Sequence, residues 1–238
     1  VDVTNIGIGR DVDYVERVEK DTGIHIIQST GFYKEPFLPD FVRDMSGEEL
    51  AELMTNEILN GIGDSNIKAG MIGEIGTSKD KMEPKEAKVF EAAAIVAKKT
   101  GKPIYTHTTL GTYGKEQVKF LLDRGVKPEK IIIGHMDLCG NLSYIKEVLS
   151  QGVFIGFDTV GKNNYFPDQD RVDFLVELEK EELLSQVVLS MDITRKSHLE
   201  YRGGLGYSYL FHEFIPMLKK AGINEESIEK MLVLNPEK

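Results

Sequence analysis

Apolar residues recur along this chain in two alternating rhythms. Val89, Ala92, Ala93 and Val96 fall at i, i+3, i+4 and i+7, the stripe of one helix face. Gly101 follows, and then the short run Ile104 to His107. The same sequence of events repeats. Tyr14, Val15 and Val18 precede Gly23 and the run Ile24 to Ser29. Leu50, Leu53, Met54, Glu57 and Ile58 precede Gly61, Gly63 and the run Ile67 to Glu74. Val118, Leu121 and Leu122 precede Gly125 and Ile131 to His135. Ile145, Val148 and Leu149 precede Gly152 and Val153 to Asp158, and Val172, Leu175, Val176 and Leu178 lead to Val187 to Met191. The glycines suit the left-handed residue that closes many helices. The runs are continuously apolar instead of alternating, as expected of strands buried on both faces.

Strands that alternate with helices predict a parallel α/β sheet. With Val1 to Thr4 the runs number seven, whereas a TIM-type (β/α)8 barrel has eight. Val1 already lies within a strand-like run, so the expectation is such a barrel lacking its first β/α unit. Residues 1–238 are then expected to form a single barrel domain, incomplete at its N-terminus. The alternative architecture is an open doubly wound sheet. Gly7-Ile8-Gly9 is followed by Arg10, Asp11 and Val12, so the third glycine of a dinucleotide fingerprint is missing.

Composition narrows the partners. The formal net charge is −10, which argues against nucleic acid and anionic membrane surfaces. No apolar run approaches the roughly 20 residues of a membrane span. A single cysteine, Cys139, allows no internal disulfide, fits a cytoplasmic, reducing compartment and is expected to be inert.

Four residues stand at the ends of these runs: Glu74, His107, His135 and Asp192. Strand ends of a parallel barrel converge on one pocket. Two imidazoles and two carboxylates gathered there are the donors of a hydrolytic metal site. Glu74 alone is equally readable as a salt-bridged structural carboxylate. Asp192 could bind metal, take a proton from water, or both. Asp158 could bind metal or orient a ligand from behind. His25 and His212 are expected to be structural.

The runs Gly73-Glu74-Ile75-Gly76-Thr77-Ser78, Thr106-His107-Thr108, Gly134-His135-Met136-Asp137, Gly156-Phe157-Asp158 and Ser190-Met191-Asp192 resemble the phosphotriesterase family of the amidohydrolase superfamily. Thr30-Gly31-Phe32-Tyr33 and the closing Asn235-Pro236 are similar too, so the resemblance spans nearly the whole chain. It is nearest to the phosphotriesterase homology proteins, in which a glutamate replaces the usual carboxylated lysine. The resemblance implies two divalent metal ions, with zinc expected. Glu74 would bridge them, His107 and His135 would hold the more exposed ion, and Asp192 the more buried one. It also implies a His-x-His pair on a first strand, which is not in this sequence. Members often form homodimers.

The implied chemistry is attack on an ester by water that the cations activate, with Asp192 as the catalytic proton acceptor. The expected substrate is a small-molecule lactone or carboxylic ester, with a phosphate or carboxylate tail as one option. Tyr33, Lys162 and Arg195 are the expected substrate contacts. Several relatives place His or Arg after the position of Asp158, where this chain has Thr159, so phosphotriester hydrolysis is the second choice. An alternative of another class is a degraded, non-catalytic homologue acting as a binding or scaffold protein.

Overall fold

The computed structural model describes residues 1–238. Six parallel strands alternate with helices. They are β1 (Ser29–Thr30), β2 (Met71–Thr77), β3 (Ile104–Thr108), β4 (Ile131–Gly134), β5 (Phe154–Phe157) and β6 (Val187–Leu189). By internal contacts the chain divides into two compact units, Val1–Ile133 and Gly134–Lys238.

In the first unit the sheet runs β1-β2-β3-β4 in chain order. Helix α1 (Val12–Thr22) and the single turn α2 (Phe41–Asp44) precede α3 (Gly47–Leu59). Ser46 and Glu49 close a reciprocal capping box on α3, which satisfies two of the backbone N–H groups a helix start leaves bare. Helix α4 (Pro84–Thr100) carries the predicted stripe, and Val89, Ala92, Ala93 and Val96 are all buried. It packs on α3, in which Leu50, Met54 and Ile58 are buried. Gly101 ends α4 at φ +72°, as its position in the sequence predicts. Helix α5 (Gly114–Asp123) completes the unit, burying Val118 and Leu121.

The second unit contains α6 (Leu142–Leu149), β5, α7 (Asp168–Lys180), β6 and the short helices α8 (Ile215–Lys220) and α9 (Glu225–Glu229). Strands β5 and β6 pair in parallel from Ile155↔Val187 to Phe157↔Leu189. Val172, Leu175, Leu178, Phe214, Leu218 and Met231 are buried here. Asn235 anchors the chain end by donating to the backbone oxygens of Leu184 and Val187, at 2.8 and 2.7 Å.

Two expected strands shrink. Val1 to Thr4 contributes one parallel bridge, Asp2↔Gln28, and of Ile24 to Ser29 only Gln28 and Ser29 are paired. Ile24 and Ile27 are 62% and 50% exposed, so their apolar character does not mark a buried strand. His25 lies outside any strand and faces solvent, and His212 sits exposed in a π-helical turn at Leu210–Phe214. No helix is long and apolar enough to cross a membrane.

Candidate metal centre

Glu74 is placed by an irregularity in β2. The pairing Ile72↔Ile104 shifts by one residue before Ile75↔Thr106, so β2 carries an extra residue at Gly73-Glu74. Such bulges re-aim side chains. Only glycine fits at 73, where φ is +141° and a Cβ would collide with the carbonyl oxygen of Tyr105. Strand β2 therefore continues to Thr77, and Glu74 lies within it rather than at its end. Asn5 Nδ2 donates to the Glu74 backbone oxygen at 2.6 Å, and the Glu74 amide donates to the Val3 oxygen at 3.2 Å.

His107 Nδ1 lies 3.5 Å from Glu74 Oε1. Its ring meets the Tyr33 ring edge to face, with centroids 4.8 Å apart, and the Tyr33 hydroxyl is 3.1 Å from Nδ1. Gln117 Nε2 holds the His107 carbonyl at 2.9 Å and Thr77 Oγ1 at 2.7 Å. Gly76, paired with His107 across the strands, leaves room for the ring: a Cβ there would sit 3.0 Å from His107 Cβ.

In the second unit His135 follows β4 at φ +59°, an uncommon conformation for a non-glycine residue. Asp158 fixes it three ways. The carboxylate accepts from the His135 amide at 3.0 Å on both oxygens and meets Nδ1 at 2.7 Å. A carboxylate accepts hydrogen bonds, so Nδ1 carries the proton and Nε2 keeps its lone pair. Asp158 thus stands behind His135 as an orienting partner, one of its two sequence-level readings.

Asp192 follows β6 at φ +47° and is ion-paired with Lys162. The ammonium that sequence reading assigned to substrate thus sits on the expected proton acceptor. Arg195 is exposed in the loop beyond. The residues that could together hold a metal ion are Glu74, His107 and His135, each offering one ligand atom. Asp192 is not part of that group.

Sequence reading missed a buried polar cluster behind His135. Arg171, fully buried on α7, joins Asp137, Thr159 and Asp168. An arginine beside an apolar stripe reads as a solvated face. The available signal was Asp168 three residues earlier, one helical turn away. Burial and the nearby negative charge of Asp158 raise the Asp137 carboxyl above its usual range, against the opposing pull of Arg171. Burial pushes the Cys139 thiol up to about 11, so it remains a protonated thiol near neutral pH. His198 is lowered by partial burial and by the charges of Lys162 and Arg195.

The model of the phosphotriesterase family matches residues 1–238. The chain is 44% identical over 236 residues to the phosphotriesterase homology protein of Escherichia coli, covering 99% of this chain and 81% of that one. A crystal structure of that relative, complexed with phosphate in its active site, superposes with a TM-score of 0.97. A lactonase from Listeria monocytogenes matches at 29% identity and a TM-score of 0.94, over 99% of this chain and 78% of its own. An aryldialkylphosphatase from Saccharolobus solfataricus is 35% identical over all of this chain and 79% of its own. Glutamate and histidines on successive parallel strands, and a match from the first residue to the last, lead to one conclusion: the chain belongs to the phosphotriesterase family.

Proposed function

We propose that this chain is a metal-dependent hydrolase of ester bonds, with a lactone or carboxylic ester as substrate and residues 1–238 acting as one hydrolase domain. The observation that carries the reading is the donor set itself. Glu74, His107 and His135 supply a carboxylate and two imidazoles, all little exposed and each held by its own neighbours. Neutral imidazole and carboxylate are ligands suited to zinc, and His135 meets that need with Nδ1 engaged by Asp158 and Nε2 able to ligate. Glu74, His107 and His135 would hold divalent metal, and two ions are the number we propose. When bound, divalent zinc lowers the pKa of water toward neutrality and polarises the scissile carbonyl or phosphoryl oxygen.

The chain's own groups supply the rest. The Asp192 carboxylate receives the proton that water gives up on attack and returns it to the leaving oxygen. The Lys162 ammonium is ion-paired with that carboxylate. Tyr33 packs its phenol on His107 and offers a hydroxyl at the same place. Arg195, exposed in the loop after Asp192, is available to an anionic tail on the substrate.

A second reading, phosphotriester hydrolysis, is favoured by the relative described as an aryldialkylphosphatase. Against it stands Thr159. Its hydroxyl donates to Asp137 Oδ2 at 2.5 Å and accepts from Arg171 at 2.7 Å, so it is committed to structure and carries no relay. The test is turnover by the zinc-loaded chain of sugar lactones against aryl phosphotriesters. Faster lactone hydrolysis is expected. Faster phosphotriester hydrolysis would overturn the substrate assignment, and a zinc-treated chain that binds no metal and turns over neither substrate would favour a binding protein.

A further inference from the structure

The guanidinium of Arg171 has no exposed surface, yet it is the meeting point of three segments of the second unit. Nε donates to Asp137 Oδ2 at 2.7 Å, two residues beyond His135. One terminal nitrogen donates to Thr159 Oγ1 at 2.7 Å, one residue beyond Asp158. The other donates to Asp168 Oδ1 at 2.9 Å and to the backbone oxygen of Phe166. Thr159 closes the circuit, its amide and hydroxyl both donating to Asp137 Oδ2.

Asp168 carries the circuit into the next loop. It accepts from the Gly161 amide at 3.0 Å and from the Tyr209 hydroxyl at 2.9 Å, and its own amide donates to Asn163 Oδ1 at 2.7 Å. Those bonds bracket Lys162, the partner of Asp192. The planar fork of arginine can serve all of these acceptors at once, whereas the point charge of lysine cannot.

Burying a cation with two carboxylates is costly and is weak evidence for stability. A packed apolar side chain at 171 would make a simpler helix face. The cluster lies directly behind the pair His135–Asp158, and no solvent reaches it. We propose that Arg171 is a positioning residue. By clamping Asp137 and Thr159 it fixes the ends of β4 and β5, and so the bond between His135 and Asp158 that keeps Nε2 of His135 able to ligate. By clamping Asp168 it fixes the loop that sets Lys162 on Asp192. This inference rests on the reading of His135 as a metal ligand.

The test uses cobalt(II) as a probe, because its visible spectrum reports ligand geometry as well as binding. Three variants are compared with the parent chain: Arg171→Lys, Thr159→Val, and Leu175→Ala as a core change on the same helix that removes no polar group of the cluster. Arg171→Lys and Thr159→Val are expected to weaken Co2+ binding about 10- to 100-fold, as loss of a partner behind a ligand does, and to shift the visible bands. Leu175→Ala is expected to lower the melting temperature while leaving affinity and bands unchanged. Arg171→Lys with reduced stability but the parent's affinity and spectrum would overturn the proposal. So would Leu175→Ala reproducing the spectral shift, which would make the effect one of general loosening. A parent chain that shows no Co2+ bands would remove the metal reading itself and this inference with it.

Discussion

At the scale of single residues, His135 and Asp158 form a closely bonded pair. Three contacts of 2.7–3.0 Å bind a side chain whose backbone sits in a left-handed conformation. Backbone of that kind persists only where its surroundings impose it, and it clusters at functional sites. Asp158→Ala removes every one of those acceptors. We expect it to weaken zinc binding about 10- to 100-fold, measured by competition with a chromophoric chelator. Gly76→Ala tests the other side. Its new methyl would sit 3.0 Å from His107 Cβ and 3.2 Å from Cδ2, so the ring must move or the strands must part. Overpacking of this kind costs about 1–3 kcal/mol. Lower metal affinity together with a lower melting temperature is the expected result.

At the scale of elements, the site depends on what interrupts regularity. The extra residue at Gly73-Glu74 turns Glu74 within β2. The sequence shows the apolar run and the glutamate but not the bulge, because periodicity records which residues are buried and not where the ladder slips. Helix α4 was legible in its buried stripe and its closing glycine. What anchors its start was not. Glu86 is wholly buried and accepts from the amides of Glu35, Ser78 and Glu83 and from the Ser78 hydroxyl, at 2.7–3.2 Å. It thereby ties the segment after Tyr33 and the exit of β2 to one helix. Glu86→Ala would leave several donors unserved at about 1–3 kcal/mol each. We expect a melting temperature lower by roughly 6 °C or more, at about 2–4 °C per kcal/mol for a chain of this size.

At the scale of the whole molecule, the proposed metal would be linked to stability. A ligand that binds only the folded chain stabilises it by about 4 kcal/mol at a thousandfold excess over Kd. Stripping zinc with a chelator is therefore expected to lower the melting temperature by roughly 8–16 °C, read by calorimetry with and without the metal restored. The alternation of helices and parallel strands, and the residues Glu74, His107 and His135, were legible because chemistry-bearing side chains at the ends of apolar runs stand out. The Arg171 cluster was not, because its members lie apart in sequence and look like surface charge until packing brings them together. The first two strand-like runs misled for the opposite reason: Ile24 and Ile27 are apolar but exposed. The most direct test of the account is lactone turnover by metal-free chain titrated with zinc, alongside His135→Ala. Turnover that rises with zinc bound in the parent and stays at background in the variant is the result expected. Full turnover by the metal-free chain, or by His135→Ala, would contradict it.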